Sequence, residues 1–170
     1  MTTGLLIGRF QPFHNGHLAY IKKILKECNK LIILIGSAQE KNTQINPFSA
    51  EERKKMIKSC LKDNPNIKIL SARDYPGENE KWLAQIERKT KFDVVYCGEN
   101  KLVMSIFSEV GFKVKTLARI NNISSSRIRE LIVMGKDYAD LVPLNVYLFL
   151  KNKGAQRIRN IYNKNKFPNT

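Results

Sequence analysis

The sequence has few acidic residues and no long apolar segment. Its 170 residues hold 30 lysines and arginines against 15 aspartates and glutamates, a formal charge of +15. Such an excess indicates an anionic partner, which could be a nucleic acid, a phosphorylated small molecule or an acidic membrane surface. The longest aliphatic stretch covers residues 31–35, whereas a spanning helix needs roughly 20 apolar residues. The sequence therefore predicts no membrane span.

Cysteine is scarce, and the start of the chain does not resemble a secretion signal. Cys28, Cys60 and Cys97 each lie in an apolar stretch and form no C-x-x-C pair. This pattern favours reduced, buried thiols over a disulfide or a zinc site. Residues 1–4 carry no basic segment and lead directly into an apolar, strand-like run. We therefore expect no signal peptide and a cytoplasmic protein.

Two common phosphate-binding motifs are missing. The sequence has no G-x-x-x-x-G-K-[ST] and no strand-linked G-x-G-x-x-G, which argues against a P-loop NTPase and a dinucleotide-binding dehydrogenase. His14 and His17 are the only histidines. They could ligate zinc, but no further histidine offers the third protein ligand that a catalytic zinc site usually has. We therefore expect no metal held directly by the protein.

Apolar runs alternate with segments of helical period, the pattern typical of βαβ units. We predict strands at 5–7, 31–35, 67–70, 94–96 and 112–117. Helices are predicted from residue 15 or 16, after Ser49, at 79–89, at 101–110 and after residues 124–126. Two more helices should follow, one from Pro143 and one around Ile158, separated by a break at Gly154. The expected fold is one α/β domain over 1–170, Rossmann-like and doubly wound, with a mostly parallel five-stranded sheet and a basic helical C-terminal tail at 151–170.

The loop after the first strand is one candidate phosphate site. It reads G-R-F-Q-P-F-H-N-G-H, and the first 26 residues contain no Asp or Glu. If His17 lies on the first helical turn, it can point with His14 and the free backbone N–H groups at one anion. Gly8 would permit a tight turn, Gly16 a close backbone approach, and Arg9 would add a permanently charged, forked donor.

A second candidate site is the segment I-S-S-S-R-I-R at residues 123–129. Hydroxyl groups and fresh backbone N–H donors crowd a helix start there, and Arg129 follows one turn later. This arrangement could hold a second anion. Simple N-capping explains the serines equally well, since serine is a favoured cap.

In their order along the chain these motifs resemble those of a known superfamily. The motifs are G-R-F-Q-P-F-H-x-G-H after the first strand, G-S-A-Q after the second, N-P-F-S-A-E-E-R, and I-S-S-S-x-I-R. They are similar to the nucleotidyltransferases with H-x-G-H and I-S-S-T-x-x-R motifs, in particular to the archaeal-type nicotinamide-nucleotide adenylyltransferases. The resemblance spans residues 5–161. It implies transfer of AMP from ATP to nicotinamide mononucleotide (NMN), giving NAD and pyrophosphate with Mg²⁺, by a homo-oligomer such as a hexamer.

The resemblance also implies roles for individual residues. His14 and His17 would contact the ATP phosphates, and Arg129 would hold the β and γ groups together with Ser124 and Ser126. Arg9, from its charge and place in the loop, is a further catalytic candidate. The other residues expected around ATP are Gly8, Phe10, Gly16, Gly98 and Asn100. Asp74, Asn79 and Trp82 would face the pyridine ring and its amide, although helical spacing fits Trp82 equally to a core position.

The sequence departs from the family pattern at a point that concerns the acceptor. Relatives often carry a basic residue just before N-P-F, where this chain has Gln44-Ile45. Lys41 is the candidate replacement. The acceptor could therefore be another compound, such as nicotinate mononucleotide, flavin mononucleotide or phosphopantetheine. A nucleic-acid-binding protein that has kept the fold is the rival interpretation, although we do not expect nucleic acid as a partner.

Overall fold

The computed structural model describes residues 1–166, in which five parallel strands form one sheet. The strands are β1 (Thr3–Gly8), β2 (Lys30–Ile35), β3 (Ile67–Ser71), β4 (Val94–Cys97) and β5 (Lys113–Thr116). Their order is β3-β2-β1-β4-β5, with Gly4 opposite both Leu31 and Val94. The chain therefore winds outward from β1 on one side and returns to place β4 on the other. In such sheets ligands bind beyond the carboxyl ends of the strands, at the point where the order reverses.

Helices cover both faces of the sheet, which confirms the doubly wound α/β fold. They are α1 (Asn15–Glu27), α2 (Ala50–Cys60), α3 (Asn79–Lys89), α4 (Lys101–Glu109), α5 (Ser125–Val133), α6 (Leu144–Phe149) and α7 (Ala155–Lys166). Successive strand residues point to opposite faces. Leu5 thus packs with residues of α3 and α4, whereas Leu6 packs with α1, α2, α5, α6 and α7.

The second helix begins and packs largely as its sequence predicts. Ser49 Oγ accepts the Glu52 N–H at 3.3 Å, and Glu52 Oε2 accepts the Ser49 N–H at 2.9 Å. This is the predicted capping box. Met56 and Ile57 are buried as expected, whereas Cys60 and Leu61 are only half-buried. Arg53 on the same helix is completely buried, which the sequence did not indicate.

The predicted helix break at Gly154 is wrong. α6 continues through a π-helical turn, Leu150–Gly154, into α7, so the backbone is helical from residue 144 to 166. A Cβ on the buried Gly154 would lie 2.8 Å from Leu150 Cδ2 and 3.3 Å from Phe48 Cε1. Gly154 is therefore a packing requirement inside the helix. Of the predicted basic tail, residues 167–170 lie outside the described residues.

The cysteines agree with the free thiols expected from the sequence, although only two of the three are buried. Cys28 and Cys97 are buried and Cys60 is half-buried, and within residues 1–166 all three are free thiols. No helix in this described range has the length and hydropathy that crossing a bilayer requires.

Candidate functional site

A cavity of about 700 Å³ opens at the carboxyl ends of the strands, within the usual size range of ligand sites. Thirteen of the fourteen site residues expected from the sequence line it. They are Gly8, Arg9, Phe10, His14, His17, Asp74, Asn79, Trp82, Gly98, Asn100, Ser124, Ser126 and Arg129. Gly16 is the exception. Residues more than 100 positions apart in the chain therefore meet in one place.

The two histidines form a reciprocal cap on α1. His14 Nδ1 accepts the His17 N–H at 3.3 Å, and His17 Nδ1 accepts the His14 N–H at 3.2 Å. Their rings stack with centroids 3.5 Å apart. Because each Nδ1 accepts, the proton of a neutral imidazole must sit on Nε2. Each Nε2–H is thus left to donate to a ligand.

Both imidazoles are neutral at pH 7. Burial lowers the pKa of His14 to about 4. Burial, followed by the neighbouring His14, lowers the pKa of His17 well below its ordinary value. The Phe10 and Phe13 rings cover His17, with centroid distances of 4.8 and 5.5 Å. The histidines therefore act as oriented neutral donors, and the formal positive charge of this loop comes from Arg9.

The glycines of the first loop make room for rings. A Cβ on Gly16 would lie 3.1 Å from Cε1 and Nδ1 of His14, so Gly16 allows the imidazole stack to form. A Cβ on Gly8 would lie 2.9 Å from the Phe10 ring. The left-handed residue of the turn is Phe10, with φ of 55°. Gly8 therefore serves the turn by admitting the Phe10 side chain.

The second motif is bound directly to the first loop. Ser124 Oγ caps α5 by accepting the Arg127 N–H at 3.2 Å. Ser125 Oγ donates to the Pro12 carbonyl at 3.0 Å, and Arg129 Nη1 donates to the Gln11 carbonyl at 2.8 Å. N-capping thus accounts for Ser124, but the segment also fixes α5 beside the histidines.

Arg129 is a buried cation with unused donor capacity. It is 5% exposed, and burial lowers its pKa. Arg129 Nη2 donates to Ser126 Oγ at 3.2 Å, while Nε has no partner within residues 1–166. In the same range, no carboxylate lies within 4.0 Å of the charged groups of Arg9 or Arg129. The arrangement leaves net positive charge for an anion.

The same cavity holds the residues expected at the pyridine ring. Asp74 Oδ1 accepts the Ser37 N–H at 3.1 Å, which orients the carboxylate. Trp82 is only 8% exposed and packs edge-to-face on Phe107 at 5.7 Å. The core interpretation therefore holds for most of the indole, and its remaining surface borders the cavity. Asn79 is exposed at the start of α3.

The turn after β4 closes the cavity at a third side. Asn100 Oδ1 caps α4 by accepting the Val103 N–H at 3.3 Å. Glu99 pairs with Arg119 at 3.8 Å, and both side chains are exposed. Arg119 and Tyr20 line the cavity but belong to no motif, so sequence reasoning missed them.

The loop before N-P-F does not reach the cavity. Lys41 is exposed, and neither it nor Gln44-Ile45 lines the cavity. The structure thus gives Lys41 no place beside the phosphate donors. Gln11 links this region to the site instead, because its Nε2 donates to the Phe48 carbonyl at 2.8 Å and its Oε1 accepts the Phe48 N–H at 3.0 Å.

Known proteins resemble this chain over nearly its full length. Residues 5–131 match the cytidylyltransferase-like family. The chain is 42% identical to the nicotinamide-nucleotide adenylyltransferase of Saccharolobus solfataricus, over 98% of this chain and 100% of the relative. It is 39% identical to the protein of the same name from Thermoplasma volcanium, over 92% of this chain and 90% of the relative.

Solved structures give the same picture. The chain superposes with a TM-score of 0.81 and 26% identity on a bifunctional NMN adenylyltransferase/ADP ribose pyrophosphatase from Francisella tularensis, over 98% of this chain. A second structure of that protein, complexed with AMP and a manganese ion, gives a TM-score of 0.78 and 25% identity over 95% of this chain. The chain spans 54% and 53% of the lengths of these two structures, about half in each case.

Proposed function

The chain belongs to the cytidylyltransferase-like family, and on that basis we propose that it is a nicotinamide-nucleotide adenylyltransferase. It transfers AMP from ATP to the 5′-phosphate of NMN and forms NAD and pyrophosphate. The enzyme class follows from relatives that are 35–42% identical over nearly the full chain. The roles of individual residues rest on the site itself.

One observation carries the proposal. Two capped helix starts, at His14–His17 and at Ser124–Arg129, line the same cavity as Asp74, Asn79 and Trp82. The two helix starts suit a triphosphate, because helix N-termini and guanidinium groups bind phosphate. Asp74, Asn79 and Trp82 suit a small aromatic ring that carries a hydrogen-bonding substituent. A site with both properties fits a reaction between ATP and a pyridine mononucleotide.

The reaction needs no general base from the protein. The second pKa of a phosphate monoester is about 6, so the NMN phosphate is mostly a dianion at pH 7. One of its oxygens attacks the α-phosphorus of ATP, and the bond from that phosphorus to the α–β bridging oxygen breaks. Pyrophosphate leaves with the electron pair. The protein must align two polyanions and stabilise the charge that develops on the phosphates.

The donors are placed for these two tasks. We assign the Nε2–H groups of His14 and His17 to the oxygens at the reacting α-phosphate and to the bridge that breaks. Arg9 supplies full positive charge at the same loop. Ser126 and the guanidinium of Arg129, which both line the cavity, fit the β and γ groups, which become the leaving pyrophosphate. Gly98 and Asn100 line the same cavity, and we assign them to the adenosine.

Magnesium fits this site as a companion of ATP. Within residues 1–166 no three His, Cys, Asp or Glu side chains come together to hold a metal ion. The phosphates would therefore supply most ligands, as is common for Mg²⁺. When bound, the ion neutralises charge on the triphosphate and so aids loss of pyrophosphate.

The carboxylate of Asp74 favours nicotinamide over nicotinate as the acceptor. The nicotinamide amide can donate an N–H to a carboxylate, whereas the nicotinate carboxylate would be repelled by it. Asp74→Asn should therefore lower the preference for NMN over nicotinate mononucleotide by about 10-fold, the worth of one charge-dependent contact of about 1.4 kcal/mol. The measurement is the ratio of kcat/KM for the two acceptors, and an unchanged ratio would remove Asp74 from this role.

We also propose a single catalytic domain that works as a homo-oligomer, such as a hexamer, in the cytoplasm. Leu144 and Leu148 lie one turn apart on α6 and are 70% and 47% exposed, which suits burial against another copy. Three free thiols fit a reducing compartment. Sedimentation equilibrium of the wild type and of a Leu144→Glu, Leu148→Glu double variant measures the assembly. A monomeric wild type contradicts this part of the proposal.

The decisive experiment is pyrophosphate release from ATP and Mg²⁺ with a panel of acceptors. The panel contains NMN, nicotinate mononucleotide, flavin mononucleotide and phosphopantetheine. We expect the highest kcat/KM with NMN, and NAD as the product by chromatography. Turnover with flavin mononucleotide or phosphopantetheine, and with no pyridine mononucleotide, would show that NMN is not the acceptor. If no acceptor reacts and the protein binds RNA in a steeply salt-dependent manner, the fold serves nucleic-acid binding instead.

A further inference from the structure

Arg53 is a buried cation whose hydrogen bonds all go to main-chain carbonyls. It lies on the first turn of α2 and is 0% exposed. Nε donates to the Ser49 carbonyl at 3.2 Å, Nη1 to the carbonyls of Arg9 at 2.9 Å and Gly36 at 2.7 Å, and Nη2 to the Ser37 carbonyl at 3.0 Å. Within residues 1–166 it forms no ion pair.

The carbonyls that Arg53 binds flank two strained turns. Phe10 follows β1 with φ of 55°, and Ser37 follows β2 with φ of 49°. Arg53 binds the carbonyl directly before Phe10 and the carbonyls on both sides of Ser37. A left-handed backbone is unfavourable for a residue with a Cβ, and it persists only where the surroundings hold it.

These two turns carry the two parts of the proposed site, the phosphate end and the pyridine end. Arg9, in the first turn, belongs to the phosphate end. The Ser37 N–H, in the second turn, donates to Asp74 Oδ1 at 3.1 Å and so orients the pyridine end. One guanidinium therefore joins the backbone at Arg9 to the backbone that supports Asp74.

A residue that only filled space in the core would not need the guanidinium group of Arg53. Burying a cation without a carboxylate in direct contact is unfavourable, even though the nearby Asp74 charge offsets part of the cost, and an apolar side chain would avoid that cost. Burial also lowers the pKa of Arg53 to about 10, which still leaves it charged at pH 7. A planar fork with several N–H donors can bind carbonyls from three chain segments at once, which the compact ammonium of lysine cannot do in the same geometry.

We propose that Arg53 is a positioning residue that fixes the distance between the ATP end and the acceptor end of the site. This inference rests on the proposed function and adds to it a residue outside the cavity. Its side chain touches neither substrate. It acts through the turns at Phe10 and Ser37, which set where Arg9 and Asp74 stand.

The first test compares Arg53→Lys with Arg159→Lys. Arg159 is half-buried and, like Arg53, donates from Nε to a carbonyl, that of Ile132 at 3.0 Å, but it does not line the cavity. We expect Arg53→Lys to lower kcat about 10- to 100-fold, because small misplacements of two reactants cost that much. The KM values for ATP and NMN should each change less than about 3-fold, since the contacting groups remain. Arg159→Lys should leave all three constants within about 2-fold of wild type.

The folded fraction is measured by circular dichroism at the assay temperature, so that kcat refers to folded protein. A wild-type kcat in folded Arg53→Lys would overturn the proposal. A loss confined to the KM of one substrate would also overturn it, because Arg53 would then serve one end of the site alone. An inactive wild type would refute the proposed function, whereas an active wild type beside an unaffected Arg53→Lys would refute only this inference.

A second variant tests the link through the Ser37 turn. Glycine adopts a left-handed backbone readily, so Arg53→Lys, Ser37→Gly should recover at least about 3-fold in kcat over Arg53→Lys alone. No recovery would refute the role of the turn. Should Arg53→Lys fail to fold, the wild type provides the readout. The ¹⁵N-labelled Arg53 Nε–H signal should shift when NMN alone is added and also when a non-hydrolysable ATP analogue alone is added, and a shift with neither would overturn the proposal.

Discussion

The helices α1 and α5 both begin at the cavity, but side chains of different character cap them. At α1 the caps are two stacked imidazoles, with His14 buried and the half-buried His17 covered by phenylalanine rings. At α5 the cap is the hydroxyl of Ser124, which is half-buried, and Ser126 beside it is exposed. The imidazole donors are fixed before a ligand arrives, whereas a hydroxyl can rotate. Fixed donors suit charge that develops in a transition state, and adjustable ones suit binding of a leaving group.

The largest expected effect comes from removing an imidazole at α1. His17→Ala should lower kcat by about 10²- to 10³-fold, the usual cost of losing one preorganised donor at a developing charge. The KM for ATP should change much less. Steady-state pyrophosphate release measures both constants, and circular dichroism checks that the fold is kept. A normal kcat in His17→Ala would abolish the distinction between the two helix starts.

Acid should destabilise the α1 cap and leave the α5 cap unaffected. Because burial lowers the pKa of His14 to about 4, only the unfolded chain takes up this proton between about pH 6.5 and pH 4. The stability of the folded state therefore falls as the pH drops through that window, and it is unaffected above it. Between pH 7.5 and pH 5.0 the expected loss from this group is on the order of 2 kcal/mol.

Urea unfolding at pH 7.5 and pH 5.0 measures this loss. His14→Gln, which removes the titrating group, should lose less stability than wild type over the same interval. The caps of α5 are serine hydroxyls that do not titrate, so Ser124→Ala should show the wild-type pH dependence. Equal slopes for wild type and His14→Gln would contradict the assignment of a neutral His14.

Local patterns in the sequence were enough to predict most of the fold. The range 79–89 predicted for α3 is the range found in the structure. The prediction succeeds because the apolar residues of this segment recur at helical spacing. The capping box at Ser49 is also local. The break predicted at Gly154 is wrong because glycine is needed there for packing, against Leu150 in the same helix and against Phe48, more than 100 residues away. Side-chain contacts across such separations leave no local signal.

The site divides in the same way. The motifs identified His14, His17 and Arg129 as members of one site, and the cavity includes them all. The motifs did not indicate that the imidazoles are neutral, because the pKa values of His14 and His17 depend on rings that pack around these side chains in three dimensions. Nor did the motifs distinguish Arg53 from its less buried neighbours in A-E-E-R-K-K. Its burial depends on carbonyls at Arg9 and Gly36, which only the folded sheet brings together.

A smaller effect is expected at α5, and it should appear in binding. Arg129→Lys should raise the KM for ATP about 10-fold, because a point charge replaces a forked donor at the proposed pyrophosphate site. Its kcat should stay within about 5-fold of wild type. Arg127→Lys on the same helix is the control, since Arg127 is exposed and lies outside the cavity. A kcat loss as large as that of His17→Ala would mean that both helix starts serve the transition state.

The smallest expected effect separates capping from ligand binding at α5. Ser124→Ala should cost about 1 kcal/mol of unfolding free energy, the typical loss for an N-cap, because the Arg127 N–H loses its acceptor. Ser49→Ala removes the same type of cap from α2 and provides the scale. If the Ser124 hydroxyl also donates to a phosphate, the KM for ATP should rise about 3-fold in Ser124→Ala. This rise is smaller than the effect of losing a full hydrogen bond, because water can replace the hydroxyl. Urea unfolding and ATP titration separate the two outcomes. An unchanged KM together with the stability loss would make Ser124 a cap alone and leave Ser126 and Arg129 as the pyrophosphate donors.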